Sequence, residues 1–530
     1  MSNAQENQQR LISVKTHGAV GNGTANDTAA IQAAIATVKA AGGGTVYFPR
    51  GSYQVVFPAG LSAYSSLFAL PSNTAVEFEA GASMTASAVT GSTLFAAVFG
   101  VDQTALPVSN LRFTGVRISQ TAPGGGQELG AGIMLQVAPD TAANSVTNVS
   151  IERCHFVGTA CAIYILQRTS AGTATRQVSG VKIHNCSGLG NYSGITADGE
   201  DIEISGNTLV GSTSSPASYY DAVSIHSGKN VRVVGNHFSY YGEFGVNVRN
   251  SPNNLSGSSN ILIAHNTIAE CTLKGIGVYT TSGETVYGVS NVSVTGNTVS
   301  HSTNGNGCCG ILISAGSATV GTPMNKVAVT GNLLNNCNVG LEITGTGGVP
   351  LLYLTLANNN VFGRPTCAEP QLKVNHAQLS SITGNVIDGE NVGAAYKSVA
   401  IENLQYSTIS GNQFYSGSAF TDTLYFATWT DVAFNGNHCF GKYVFATIGS
   451  TCVIDSNRFT SAGVCALRPL TGTWSLAQAR IEAFGGTPAS GTWAVGDRVY
   501  GTPAAGGTIG VVCTTAGTPG TWKTFGAIAA

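Results

Sequence analysis

A short motif recurs along most of this chain and limits what it can fold into. IEISGNTL, VRVVGNHF, ILIAHNTI, VSVTGNTV, VAVTGNLL, SITGNVI, TISGNQF, VAFNGNHC and VIDSNRF share one form: alternating apolar residues, a turn, Asn, then an apolar residue. The Asn positions are Asn207, Asn236, Asn266, Asn297, Asn332, Asn385, Asn412, Asn437 and Asn457, with Asn359 filling the one gap. Their spacing of roughly 20–35 residues is that of one solenoid unit, too short to bury a core alone. Earlier units, IERCHF and VKIHNCS, put Cys154 and Cys186 in the Asn slot. Asn tolerates the left-handed backbone of a turn, and its amide can bond the same amide one coil away. These Asn therefore read as an internal ladder rather than as ligand contacts.

A second strand recurs in each unit: GIMLQV, AIYILQ, GITADG, AVSIHS, GVNVRN, GIGVYT, GILISA and GLEITG. Period-two alternation with few helical stretches between units predicts an all-β, single-stranded parallel β-helix rather than a βαβ fold. The composition agrees, with 68 Gly and only 9% charged residues, as many short strands joined by tight turns require.

Other classes are excluded or disfavoured. A net charge of −2 gives no reason to expect nucleic acid or an anionic membrane as partner. No apolar run is long enough to span a bilayer. The twelve cysteines show no CxxC pair and no zinc spacing, and are expected to be buried, reduced thiols. The start, MSNAQENQQR, has no signal-peptide core.

The N-terminal segment is not a coil. Asp27/Thr28 is a helix start, Ile31, Ile35 and Val38 share one helical face, and Gly42, Gly43 and Gly44 end it before the strand TVYF. A helix there would cap the open end of the solenoid. After about Cys465 the repeat stops, and a Gly- and Thr-rich stretch with Trp474, Trp493 and Trp522 reads as a small C-terminal β module. The expected domains are 1–10, a tag remnant or disordered start; 11–110, cap and first coils; 111–470, parallel β-helix; and 471–530, the C-terminal module. That module is loosely similar to aromatic carbohydrate-binding modules through GDRVY and AGTPGTWK, and a cap or oligomerisation element with packed Trp is the other reading.

GAVGNGTANDTAAIQAAI, GGGTVYFPRGSY and the coils together resemble the pectate-lyase-like superfamily, which includes many phage tailspikes. The resemblance implies a right-handed helix, an extracellular or virion-associated location, and assembly as a homotrimer. It does not specify the chemistry, because that superfamily holds lyases, hydrolases, epimerases and adhesins.

Aligning the second strands puts one outward residue per coil in a column: Gln136, Leu166, Asp198, His226, Arg249, Tyr279, Ser314 and Thr344. Rungs about 4.8 Å apart bring Asp198, His226, Arg249 and Tyr279 within reach of one another. The next outward column, Thr196, Ser224, Asn247 and Gly277, is small enough to leave a groove. Turns at the same level carry Tyr219, Tyr220 and Asp221, then Tyr240, Tyr241 and Glu243, then Lys274.

The expected function is cleavage of an acidic, uronate-containing polysaccharide by β-elimination, with the tyrosines and Asn247 against its sugar rings. β-Elimination on a uronate needs a neutralised carboxylate, a base and an acid. Arg249 with Lys274 suits the first task, His226 oriented by Asp198 the second, and Tyr279, Tyr219 or Tyr220 the third. This set resembles the constellation of β-helical alginate lyases and mannuronan epimerases, although YYDAVSIH spaces the motif differently. The alternative is hydrolysis by paired carboxylates among Asp198, Glu200, Asp201, Asp221 and Glu243, as in polygalacturonases and tailspikes. A third is glycan binding without cleavage. No cofactor is expected; DGED at Asp198–Asp201 is the one weak candidate for Ca²⁺.

Overall fold

The computed structural model describes residues 10–58, 65–87, 96–120, 130–137, 144–166, 177–211, 220–250, 257–280, 288–301, 309–316, 324–363, 369–389, 397–416, 424–460 without 442 and 450, 487, 493, 495–500 and 505–529. The chain divides into two compact units, Met1–Cys308 with Ser317–Thr322, and Cys309–Gly316 with Pro323–Ala530.

In the first unit each coil contributes up to three strands, all paired in parallel with the coils on either side. One wall runs through Ala131–Gln136, Cys161–Leu166, Ser193–Ala197, Val223–His226, Phe244–Arg249 and Lys274–Tyr279. A second runs through Val146–Glu152, Val178–His184, Glu200–Ser205, Lys229–Val234, Ser259–Ala264 and Ser290–Thr295. The third is made of three-residue strands such as Thr208–Val210, His237–Ser239 and Thr267–Ala269. Inward Val, Ile, Leu and Phe from all three walls fill the coil, among them Ile195, Val223, Ile225, Val246 and Val248. Burying each such side chain stabilises the fold by about 1.5–3 kcal/mol.

The Asn slot is an internal ladder. In the first unit Asn207 Nδ2 donates to Asn236 Oδ1 at 2.9 Å, Asn236 to Asn266 at 2.9 Å and Asn266 to Asn297 at 3.0 Å. The second unit repeats it from Asn332 through Asn359, Asn385, Asn412 and Asn437 to Asn457 at 2.9–3.0 Å. Cys186 stands in the same slot, its N–H donating to Asn207 Oδ1 at 2.8 Å. The nine described cysteines are all free and buried.

The helix Thr28–Ala40 buries Ile31, Ala34, Ile35 and Val38 and lies against the strands Leu11–Ser13, Gly44–Phe48 and Ser66–Leu70. It begins where the sequence reading put it, but Asp27 does not cap it through its side chain. The carboxylate instead accepts from the N–H groups of Val20 (2.6 Å) and Gly21 (3.2 Å), tying down the preceding loop. The helix ends at Ala40, Gly42 follows in the left-handed region at φ 76°, and a Cβ on Gly43 (φ 140°) would stand 2.7 Å from the Asn73 carbonyl oxygen.

In the second unit the coils run as far as the strand Arg458–Thr460. Near its C-terminus three antiparallel strands, Arg498–Tyr500, Thr508–Thr515 and Thr521–Ala527, form a small sheet. There Trp493 and Trp522 pack edge to face, centroids 5.0 Å apart, and the Trp522 indole N–H donates to the Pro519 carbonyl at 2.9 Å. Trp474 lies outside the described residues. No helix among the described residues is long and apolar enough to cross a membrane.

Candidate active site

The registers of the first wall stack the residues that the alternation aligned. His226 stands opposite Arg249, and Arg249 opposite Tyr279. Asp198 follows the strand Ser193–Ala197, and its Oδ1 accepts from the backbone N–H of His226 at 2.7 Å. The sequence predicts that Asp198 orients the imidazole; the hydrogen bond seen runs from the His226 main chain to its carboxylate. It is 2% exposed, and burial pushes its pKa well up. Burial, with Arg249 adding to it, lowers the His226 pKa to about 3, so the ring is neutral across the neutral range.

Beside His226 opens a cavity of about 310 Å³. Its lining includes the aromatic rings of Tyr164, Tyr192 and Tyr220 and the polar groups of Asp221, His226, Glu243 and Arg249, with Ala160, Cys161, Ser193, Thr196 and Ser224 completing it. Asp221 precedes the strand Val223–His226 and is 4% exposed. Its Oδ2 accepts from Ser224 Oγ and from Asn247 Nδ2 (2.8 Å), and its Oδ1 from the Phe244 N–H at 3.1 Å. Burial is the main cause that raises its pKa to about 6, with the Glu243 charge adding to it, while the Ser224 and Asn247 bonds and Arg249 act the other way. Arg249 is half-buried, and its Nε has no acceptor among the described residues.

Of the residues singled out from the sequence, the cavity gathers Asp221, Glu243, His226, Arg249 and Tyr220. Several others do not line it. Tyr279 is stacked on Phe244, centroids 5.8 Å apart and planes at 24°. That stacking needs Gly277, where a Cβ would lie 2.3 Å from a Phe244 ring carbon. Tyr241 is 0% exposed and is a core residue rather than a sugar platform. Asn247 is buried and spends its amide on Asp221 instead of facing a ligand. Tyr240 sits in a turn at φ 60°, and Lys274 stands opposite Phe244 with its N–H on the Glu243 carbonyl. Tyr219 lies outside the described residues. The DGED carboxylates are engaged separately: Glu200 with Lys229 at 2.5 Å, Asp201 with Asn230 at 2.9 Å, and Asp198 with His226.

Tyr164, Tyr192 and Cys161 are additions that the sequence reading did not make. Tyr164 stands opposite Thr196, which stands opposite Ser224. Reading the small-residue column one coil further up would have found it.

Residues 11–247 match the family model described as rhamnogalacturonase A/epimerase, pectate lyase-like, and residues 143–361 match that of the right-handed beta helix region. Mannuronan C5-epimerase AlgE3 of Azotobacter vinelandii is 61% identical over 44 residues, which are 8% of this chain and 2% of that protein. Alginate lyase 7 of the same organism is 60% identical over 42 residues, 8% of this chain and 5% of that protein. The matches thus span only a few percent of these relatives' lengths. Among solved structures, a double mutant of the tailspike protein of E. coli bacteriophage HK620 aligns over 87% of this chain and 79% of that one, with TM-score 0.58 and 15% identity. The same tailspike in complex with a pentasaccharide aligns with TM-score 0.57 and 14% identity. At such identity the likeness is one of fold. Residues 11–247 are thus similar to the pectate-lyase-like family, and the chain is built as a right-handed parallel β-helix.

Proposed function

We propose that this chain is a depolymerase that hydrolyses a glycosidic bond in an acidic polysaccharide, outside the cell or on a virion. The observation that carries the reading is the pair of carboxyl groups on one cavity, Asp221 buried with its pKa raised to about 6 and Glu243 close enough to contribute to that rise. Environments that hold one carboxyl protonated beside another mark an acid and its partner. Asp221 gives its proton to the glycosidic oxygen as the bond to the anomeric carbon breaks. Glu243 serves the attacking side, where water supplies the hydroxyl of the new reducing end. Arg249, with its unused Nε, suits the carboxylate of a uronate residue, and Tyr164, Tyr192 and Tyr220 suit its C–H faces.

β-Elimination is the second reading, favoured by Arg249 standing beside the neutral His226. It ranks lower because an imidazole with a pKa near 3 is a weak base. The test is incubation with a panel of capsular and uronate polysaccharides. New reducing ends without ultraviolet absorbance, lost in Asp221→Asn, are expected. An unsaturated, absorbing product would establish elimination instead, and binding without either product would leave a glycan-binding protein.

A further inference from the structure

In the second unit a column of residues with left-handed backbone runs down one corner: Lys326 (φ 55°), Tyr353 (56°), Leu379 (52°), Tyr406 (49°) and Asp431 (51°). The residues just before them pair in register, Asn325 with Leu352, Leu352 with Gln378, Gln378 with Gln405 and Gln405 with Thr430. The five side chains therefore stack as rungs about 4.8 Å apart.

The equivalent corner of the first unit is built from Asn. Asn148 donates to Asn110 and Asn110 to Asn73; Asn291 donates to Asn260, Asn260 to Asn230 and Asn230 to Asp201. Asn is the side chain that best tolerates this backbone, and the amide bonds reward it. Tyr353, Leu379 and Tyr406 forgo both advantages, and they are 52%, 46% and 54% exposed. The outward residues next to them, Ala328, Thr355, Ser381, Thr408 and Ala433, are small and uncharged. The same positions in the first unit include Arg112, Lys182, Glu203 and Arg232, a solvated wall. Unfavourable backbone, absent amide bonds and exposed apolar area all work against this corner, and no contact among the described residues offsets them.

The order along the column names the occupant. Lys, Tyr, Leu, Tyr, Asp reads the same in reverse apart from a swap of charge at the ends. A copy laid antiparallel brings Lys326 against Asp431 of the partner subunit, Tyr353 against Tyr406 of the partner subunit, and Leu379 against Leu379 of the partner subunit on a two-fold axis. That is a self-complementary, isologous contact. We propose that this corner is the surface through which two copies of the chain associate.

Sedimentation of the full chain tests it. The wild type is expected to sediment as a dimer, not the homotrimer that the tailspike resemblance implies, and Tyr353→Asn/Leu379→Asn/Tyr406→Asn as a monomer with its melting curve kept, since Asn is what the first unit uses at this corner. Leu189→Asn, at a first-unit site that is equally exposed at 52%, should leave the mass unchanged. Lys326→Glu alone should weaken assembly at least tenfold, and Lys326→Glu/Asp431→Lys should restore it. A wild type that stays monomeric or sediments as a trimer would overturn the proposal. So would assembly that survives the triple substitution, or a charge reversal that the double exchange does not rescue.

Discussion

The carboxylate of Asp198 accepts a hydrogen bond from the main-chain N–H of His226, one coil away, at 2.7 Å. The acid thus fixes the strand that presents the imidazole, and the ring's neutrality comes from burial and Arg249. Asp198→Ala leaves a buried N–H without its acceptor and should destabilise the protein by about 1–3 kcal/mol. Asp198→Asn keeps an oxygen in reach and should melt close to the wild type. Thermal denaturation of the two variants distinguishes this from a role on the ring, which would make the Asn variant as damaging to cleavage as the Ala variant.

Side chains beside the cavity and side chains merely near it should separate in kinetics. Tyr279 is stacked on Phe244 and does not line the cavity, whereas Tyr192 does. Tyr279→Phe should leave kcat and KM within twofold. Tyr192→Ala should raise KM by about tenfold, the worth of one stacking face at 1–1.5 kcal/mol. Initial rates on a glycan that the wild type cleaves decide it; a Tyr279→Phe variant without activity would return the phenol to the role of acid.

The two Asn ladders predict different costs. Asn385 is fully buried and bonds Asn359, Asn412 and the Leu356 carbonyl, so Asn385→Ala strands several buried groups and should cost about 3 kcal/mol or more. Asn260 makes its amide bonds in the open, and Asn260→Gly keeps the left-handed backbone that it needs, so about 1 kcal/mol or less is expected. Urea unfolding midpoints at unchanged slope are the measurement.

These ladders also show what a sequence can and cannot reveal about this fold. The internal ladder is legible because its Asn recurs, often after a Gly, at solenoid spacing, and even Cys186 falls in the right slot. The corner ladder is equally periodic, in SNL, TNV, KNV, SNI and SNV, but a single Asn before an apolar residue looks like any strand start. At the site, register follows from alternation, and so His226, Arg249 and Tyr279 fall on adjacent rungs as read. Side-chain direction does not follow. Whether Tyr279 faces the cavity depends on the space that Gly277 opens for Phe244, and whether Asp198 meets a ring or an N–H depends on less than one residue's rise. Tyr192 comes from a turn, where no period constrains position.

The proton on Asp221 should make stability depend on pH and, on the proposed reading, activity too, both falling as the proton is lost. Its pKa of about 6 in the folded chain lies above the ordinary carboxylate value near 3.9. A carboxyl raised on folding binds its proton more tightly in the folded chain. Its stabilising contribution is therefore full below the unfolded value and is lost as pH rises through the folded one. Two units correspond to about 3 kcal/mol, withdrawn between roughly pH 4 and pH 7. In Asp221→Asn that withdrawal disappears, so the difference in stability between variant and wild type should move by about this amount in the variant's favour over that interval. Chemical denaturation at several pH values reads it, and a constant difference would mean that Asp221 titrates normally. If Asp221 is the acid, cleavage by the wild type should fall above about pH 6, since the carboxylate has no proton to give. A rate that instead rises through pH 6 would assign it as a base.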